Sequence, residues 1–129
     1  MKLRQLELTN VRRFGGQKAQ LGPFGDGLTT ITAENEAGKS TFFDALHALF
    51  FVPHGSTSQE VKNLQPYSGG AACVAAVVEI DGQEFRVEKS FLVQKSAKIT
   101  DCSSGFKAFN KHLCSRLCQI RCHNGYILR

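Results

Sequence analysis

The sequence predicts an α/β fold in which antiparallel β hairpins surround one buried helix, and three observations carry that prediction. A β-branched run, Leu28-Thr29-Thr30-Ile31-Thr32, leads into a loop that ends in Gly38-Lys39-Ser40-Thr41, and a strongly apolar stretch follows to Phe51. A run rich in Ala and Val and an alternating run flank Asp81-Gly82, a two-residue hairpin signal. The length of 129 residues leaves room for one modest core and not for two.

Taken in order, Lys2 to Thr9 sets Leu3, Leu6 and Leu8 against Lys2, Arg4 and Glu7, with one slip at Gln5, the pattern of a half-buried strand. Asn10-Val11-Arg12-Arg13-Phe14-Gly15-Gly16 closes it as a loop. A second strand is expected over about Gln17 to Leu21, ahead of the turn cluster Gly22-Pro23-Phe24-Gly25-Asp26-Gly27. Residues 28–32 are expected to form the strand that feeds the loop.

The helix is expected from about Lys39 to Phe51, because Pro53 bars continuation. Phe42, Ala45, Leu46 and Leu49 share one face while Phe43, Phe50 and Phe51 lie on others, so burial under a sheet is expected on nearly all sides. His54 to Gly70 is polar and turn-rich, a surface loop. Ala71 to Asp81 reads as a strand rich in Ala and Val. Gln83 to Phe91 is its return strand, with Phe85, Val87 and Phe91 inward, and Val93 to Asp101 adds a third.

The chemistry concentrates in the loop before the helix. A bound phosphate needs inward backbone N–H groups, a positive helix terminus and a mobile cation. Gly38 lets the backbone approach, Lys39 can reach β- and γ-phosphates, and Ser40 can offer its hydroxyl to Mg²⁺. The consensus places its first glycine where this chain has Ala33, and that methyl distorts or weakens the loop. The bland reading is an ordinary helix start that Ser40 and Thr41 merely cap. Single histidines at 47 and 54 lack partners at ligand spacing and read as core filler and loop residue.

The net charge of +5 divides unevenly. Residues 1–102 carry 11 Lys and Arg against 11 Asp and Glu, whereas the tail holds Lys107, Lys111, Arg116, Arg121 and Arg129 with no acid. Cys114, Cys118 and Cys122 crowd into the same tail, near His112 and His123. Their spacing lacks the Cys-x-x-Cys knuckle of common zinc sites. The expected division is therefore an N-terminal lobe, 1–102, and a basic Cys-rich tail, 103–129, divergent or foreign to the lobe. No apolar run approaches membrane-spanning length, and the N-terminus lacks the apolar core of a secretory signal, so a cytoplasmic location is expected.

The order of strand, Asn-x-Arg-x-Phe loop, strand, phosphate loop, helix and hairpins resembles a known family. It is similar to the N-terminal half of the ATPase head of SMC-like proteins, the SbcC, RecF and RecN group and the ATPase of the double-strand-break repair nuclease complex. Asn10-Val11-Arg12-Arg13-Phe14, Glu34-Asn35-Glu36-Ala37-Gly38-Lys39-Ser40-Thr41 and Glu79-Ile80-Asp81-Gly82-Gln83-Glu84-Phe85-Arg86-Val87 carry the likeness, over about residues 1–101. It implies a P-loop NTPase half-domain, the N-terminal lobe of an ABC/SMC-like head. It further implies that Asn35, Glu36, Ala37, Gly38, Lys39, Ser40 and Thr41 wrap ATP, with Mg²⁺ on Ser40 through the nucleotide. Arg12 would lie near the phosphates or the adenine-side lobe; Arg12 and Arg13 as a solvated turn pair is the bland alternative. ATP bound between two heads, DNA and a nuclease partner are implied for a full-length protein.

Hydrolysis needs an acid pair that organises Mg²⁺ and water, and the sequence offers no good one. Val77-Val78-Glu79 comes nearest and reads better as a hairpin edge. Tyr67-Ser68-Gly69-Gly70 invites comparison with the Leu-Ser-Gly-Gly signature, but strand rather than helix follows it. The expectation is thus an ATP-binding fragment of a DNA-repair or chromosome-maintenance ATPase, incomplete for hydrolysis by itself. A small basic module acting on nucleic acid or metal through its tail is the alternative from another class.

Overall fold

The structure, a computed structural model, describes residues 1–34 and 38–103. Five strands form one wholly antiparallel sheet: β1 (Lys2–Thr9), β2 (Lys18–Leu21), β3 (Ala72–Ile80), β4 (Gln83–Phe91) and β5 (Ser96–Asp101), in the order β2-β1-β3-β4-β5. Helix α1 (Lys39–Phe51) and the short α2 (Gln59–Lys62) are inserted between β2 and β3. A 3-10 turn spans Arg12–Phe14.

Alternation decides the layering. Leu6 and Leu8 on β1, Val74, Ala76 and Val78 on β3, Phe85, Val87 and Phe91 on β4 and Ile99 on β5 are buried in one core with Ala45, Ala48 and Leu49 of α1. Each large side chain removed from water there contributes about 1.5–3 kcal/mol. The opposite face is polar, with Glu7, Arg86, Glu88 and Lys98 paired across strands. The slip at Gln5 is a register shift between Leu3 and Gln5 in the β1–β3 pairing. Arg4 there donates from Nε to Glu79 Oε2 at 2.7 Å.

The hairpin at Asp81-Gly82 forms as its sequence requires. Ile80 pairs with Gln83, and both loop residues take positive φ, 51° and 79°. Two left-handed residues in a two-residue loop match the right-handed twist of the strands. The Val77-Val78-Glu79 segment is indeed hairpin strand, and Glu79 is occupied by Arg4.

Three expectations need correction. Residues 28–34 form no strand: among the described residues no segment pairs with them to satisfy a ladder of N–H and C=O groups, and the sheet ends at β2. Leu28 is 97% exposed and Ile31 about half exposed. Helix α1 is buried along one face and not on nearly all sides, since Phe43 is 70% exposed and Phe51 is exposed as well. The stretch from His54 to Gly70 is more than a loop, because α2 and its neighbour plant Val61 and Leu64 in the core. The tail from residue 104 onward, with its cysteines, histidines and net charge, lies outside the described residues.

Candidate phosphate site

The site begins at the junction between the loop and α1. Gly38 takes φ 96°, a left-handed value that side chains rarely adopt, and stands as the residue before the first helical turn. Among the described residues no side chain caps that terminus, and its first turn carries no acid. The first N–H groups of a helix have no partner within it, so the start of α1 offers donors and the positive end of its dipole. Those features suit an anion.

Lys39 folds back so that its Nζ donates to the carbonyl of Ala33, which draws the two ends of the loop together. Ser40 is exposed, with its hydroxyl free to turn toward a ligand, while Thr41 is buried. The residues that would complete the loop, Asn35, Glu36 and Ala37, lie outside the described residues. The groups that are described fit a Mg-nucleotide: a cation on a flexible stem, a hydroxyl and open backbone donors.

The Asn-x-Arg-x-Phe segment forms the adjoining wall. Asn10, at φ 56°, is its hinge: Nδ2 donates to the carbonyls of Gly69 (3.2 Å) and Ala71 (3.0 Å), and Oδ1 accepts from the Gly16 N–H at 2.8 Å. One short amide thus ties the turn to the Gly69-Gly70 bend ahead of β3. The ring of Phe14 packs on Phe42 of α1, centroids 5.6 Å apart, and covers Gly38.

Arg12 is held on three sides. Its N–H donates to Leu64 O at 2.9 Å, its Nε to Asn63 O at 2.8 Å, and its guanidinium pairs with Asp44 of α1 at 2.8 Å. Arg13 instead stays exposed, with Cδ 3.5 Å from where a Cβ on Gly38 would stand. The sequence singles out Arg12 for the nucleotide, with the two arginines as a solvated turn pair as the alternative, and gives for Asp44 no signal beyond one acid in an apolar helix. Tyr67-Ser68-Gly69-Gly70 does not open a helix: Gly69 and Gly70 both take positive φ and β3 follows. Among the described residues, no set of His, Cys, Asp and Glu is grouped to hold a metal, and no helix is long and apolar enough to cross a membrane.

Comparison with known proteins bears on this arrangement. A family profile described as an AAA domain matches residues 5–113. Among solved structures, the chain is similar to the SMC head domain from Thermotoga maritima, with TM-score 0.58 and 28% identity. That match covers 90% of this chain but 42% of the head domain, so the chain spans less than half of its relative's length. A second structure, described for ATP-driven dimerization and DNA-stimulated activation of SMC ATPases, gives TM-score 0.62 at 20% identity. It is matched over 99% of this chain and 85% of its own length, and at that identity shows the fold alone. No curated protein matches the sequence.

Proposed function

The chain belongs to the AAA domain family and has the fold of the N-terminal segment of an SMC-like ATPase head; from that premise we propose that it is the ATP-binding lobe of a DNA-repair or chromosome-maintenance ATPase. The observation that carries this reading is the acid-free N-terminus of α1, with no capping side chain among the described residues, behind left-handed Gly38 and with Lys39 and Ser40 at its first two positions. Gly38, Lys39, Ser40 and Thr41, with Asn35, Glu36 and Ala37, are assigned to the triphosphate, Ser40 also to Mg²⁺. Arg12 belongs to the wall beside them.

Hydrolysis is assigned to groups supplied from elsewhere. Phe43 and Ile31 leave apolar surface open next to the site, in a groove of about 320 Å³ that runs past Leu21, Phe24 and Phe42. An exposed apolar surface beside an unpaired extended segment is costly in water. The remainder of a head is the occupant we assign to it, bringing strands to residues 28–34 and acids to the Mg²⁺. DNA, a second head and a nuclease are the proposed partners of the longer protein.

Calorimetric titration of the 129-residue chain with Mg-ATP, beside Lys39→Ala, tests the reading. Binding is expected for the unaltered chain and lost without Lys39. Equal binding by both proteins, or none by a folded chain, refutes the nucleotide site. Sustained phosphate release by the chain alone refutes its dependence on added groups.

A further inference from the structure

Asp44 is the one acid of α1, and its spacing puts it on the same side of the helix as Ser40. Thr41, Ala45, Ala48 and Leu49 take the face turned to the core, so Ser40 and Asp44 lie away from it, one helical turn apart. Asp44 Oδ2 stands 2.8 Å from Arg12 Nη1. The guanidinium of Arg12 is thereby held about one turn along α1 from the hydroxyl assigned to Mg²⁺.

This ion pair is not what closes the turn that carries Arg12. The turn closes through its own backbone, with Phe14 N–H donating to Val11 O at 2.9 Å, and the Arg12 N–H bonds Leu64 O independently of the side chain. Asp44 and the Asn63 carbonyl, which accepts from Nε at 2.8 Å, fix the direction of the guanidinium. Arg12 Nη2 has no hydrogen-bond or ion-pair partner among the described residues, so two nitrogens anchor the group and the third is left for a further acceptor. A partly exposed ion pair adds little to stability in water. Its effect here is orientation, because an arginine already ordered loses less freedom when it meets an anion.

Resting on the nucleotide-binding reading above, we propose that Asp44 is a positioning residue for that site. It holds Arg12 on the Ser40 side of α1, with the open edge of the guanidinium turned to the phosphates of the nucleotide. Glu60 lines the same cavity of about 140 Å³ as Arg12, Asp44 and His47, but among the described residues Arg12 forms its ion pair with Asp44 alone. An acid that only crowds an anion site repels the ligand, so its removal tightens binding. An acid that acts through Arg12 aids the ligand, so its removal weakens binding.

Calorimetric titration of the full chain with Mg-ATP reads that sign. Asp44→Asn is expected to weaken Mg-ATP by about tenfold, with a thermal midpoint close to that of the unaltered chain. Asp44→Glu keeps the charge and is expected to retain most of the affinity. Arg12→Ala is expected to weaken Mg-ATP by about tenfold to a hundredfold, the loss of a charge-assisted hydrogen bond. Adding Asp44→Asn to Arg12→Ala is expected to weaken it no further, since the acid then has no arginine to direct.

Tighter or unchanged Mg-ATP binding by Asp44→Asn, while Lys39→Ala loses it, overturns the role of Asp44 and leaves the nucleotide site standing. A further loss in the double variant makes the acid independent of Arg12 and overturns it too. So does a chain that unfolds with Asp44→Asn, because Asp44 is then structural. A folded unaltered chain that binds no Mg-ATP overturns this proposal and the nucleotide site together.

Discussion

The ring of Phe14 lies where a side chain at position 38 would have to stand: a Cβ built on Gly38 meets Phe14 Cζ at 2.8 Å and Cε2 at 3.1 Å. The wall of the candidate site and the start of α1 are therefore packed through the absence of a side chain. Gly38→Ala must both adopt φ 96° and displace the ring. The conformational part costs about 1 kcal/mol, and the overpacking adds about 1–3 kcal/mol. Phe14→Leu in the same chain is expected to recover the overpacking but not the conformational part. Urea unfolding of the two single variants and the double variant checks this, and strict additivity would refute the contact.

Lys89 places its side-chain nitrogen inside the core. It sits on the same face of β4 as Phe85, Val87 and Phe91, is 1% exposed, and donates from Nζ to Val52 O, just past the end of α1, at 2.8 Å. Lysine side chains commonly donate to the last carbonyls of a helix, and this bond ties the far end of α1 to the sheet. Lys89→Ala is expected to cost about 2–5 kcal/mol, as other large-to-small core changes do. Lys89→Met keeps the stem and loses the bond, with an expected cost of about 1 kcal/mol. Denaturant midpoints rank the two.

The same residue shows what the sequence could express. Alternation through Gln83 to Phe91 fixed the strand and its inward face, but a lysine on that face reads as a break until the carbonyl of Val52 is seen above it. Helix α1 was legible to its ends because Gly38 and Pro53 act locally. So was the hairpin, because Asp81-Gly82 needs no distant partner. Leu28 to Thr32 has strand propensity, yet pairing is a property of two segments, and none among the described residues lies beside it. Helix α2 has four residues and only Val61 and Leu64 as a pattern, too short for a period. Arg12 and Arg13 look alike in sequence, and only Asp44 and Asn63 separate them.

Ser40 offers a test of the metal role that is separate from that of the charge on Lys39. A hydroxyl that binds the metal matters only when metal is present. Ser40→Ala is expected to weaken Mg-ATP by about tenfold and to leave ATP in excess chelator almost unchanged. Titrations in both buffers decide. An equal loss with and without Mg²⁺ would make Ser40 a helix cap and no more.

Acid should weaken the sheet through Glu7. Its carboxylate is nearly buried on the polar face and accepts from Arg86 at 2.6 Å, Lys18 at 3.1 Å and Gln5 at 2.7 Å. The hydrogen bond from Arg86 is the largest cause, against the opposing effect of burial, and its pKa is lowered to about 2 from an ordinary value of 4.5. A carboxyl with a lower pKa in the folded state favours folding wherever it is ionised in both states. Its contribution is thus complete above about pH 5 and declines as pH falls through 4 toward 2, where the folded state must also take up the proton. Glu7→Gln removes the charge at every pH, leaving Arg86 and Lys18 facing an amide. That variant is expected to lose about 1–2 kcal/mol at pH 7 and to show a flatter decline in thermal midpoint between pH 5 and 2. Parallel midpoint curves for the two proteins would show that other carboxylates govern the acid limb.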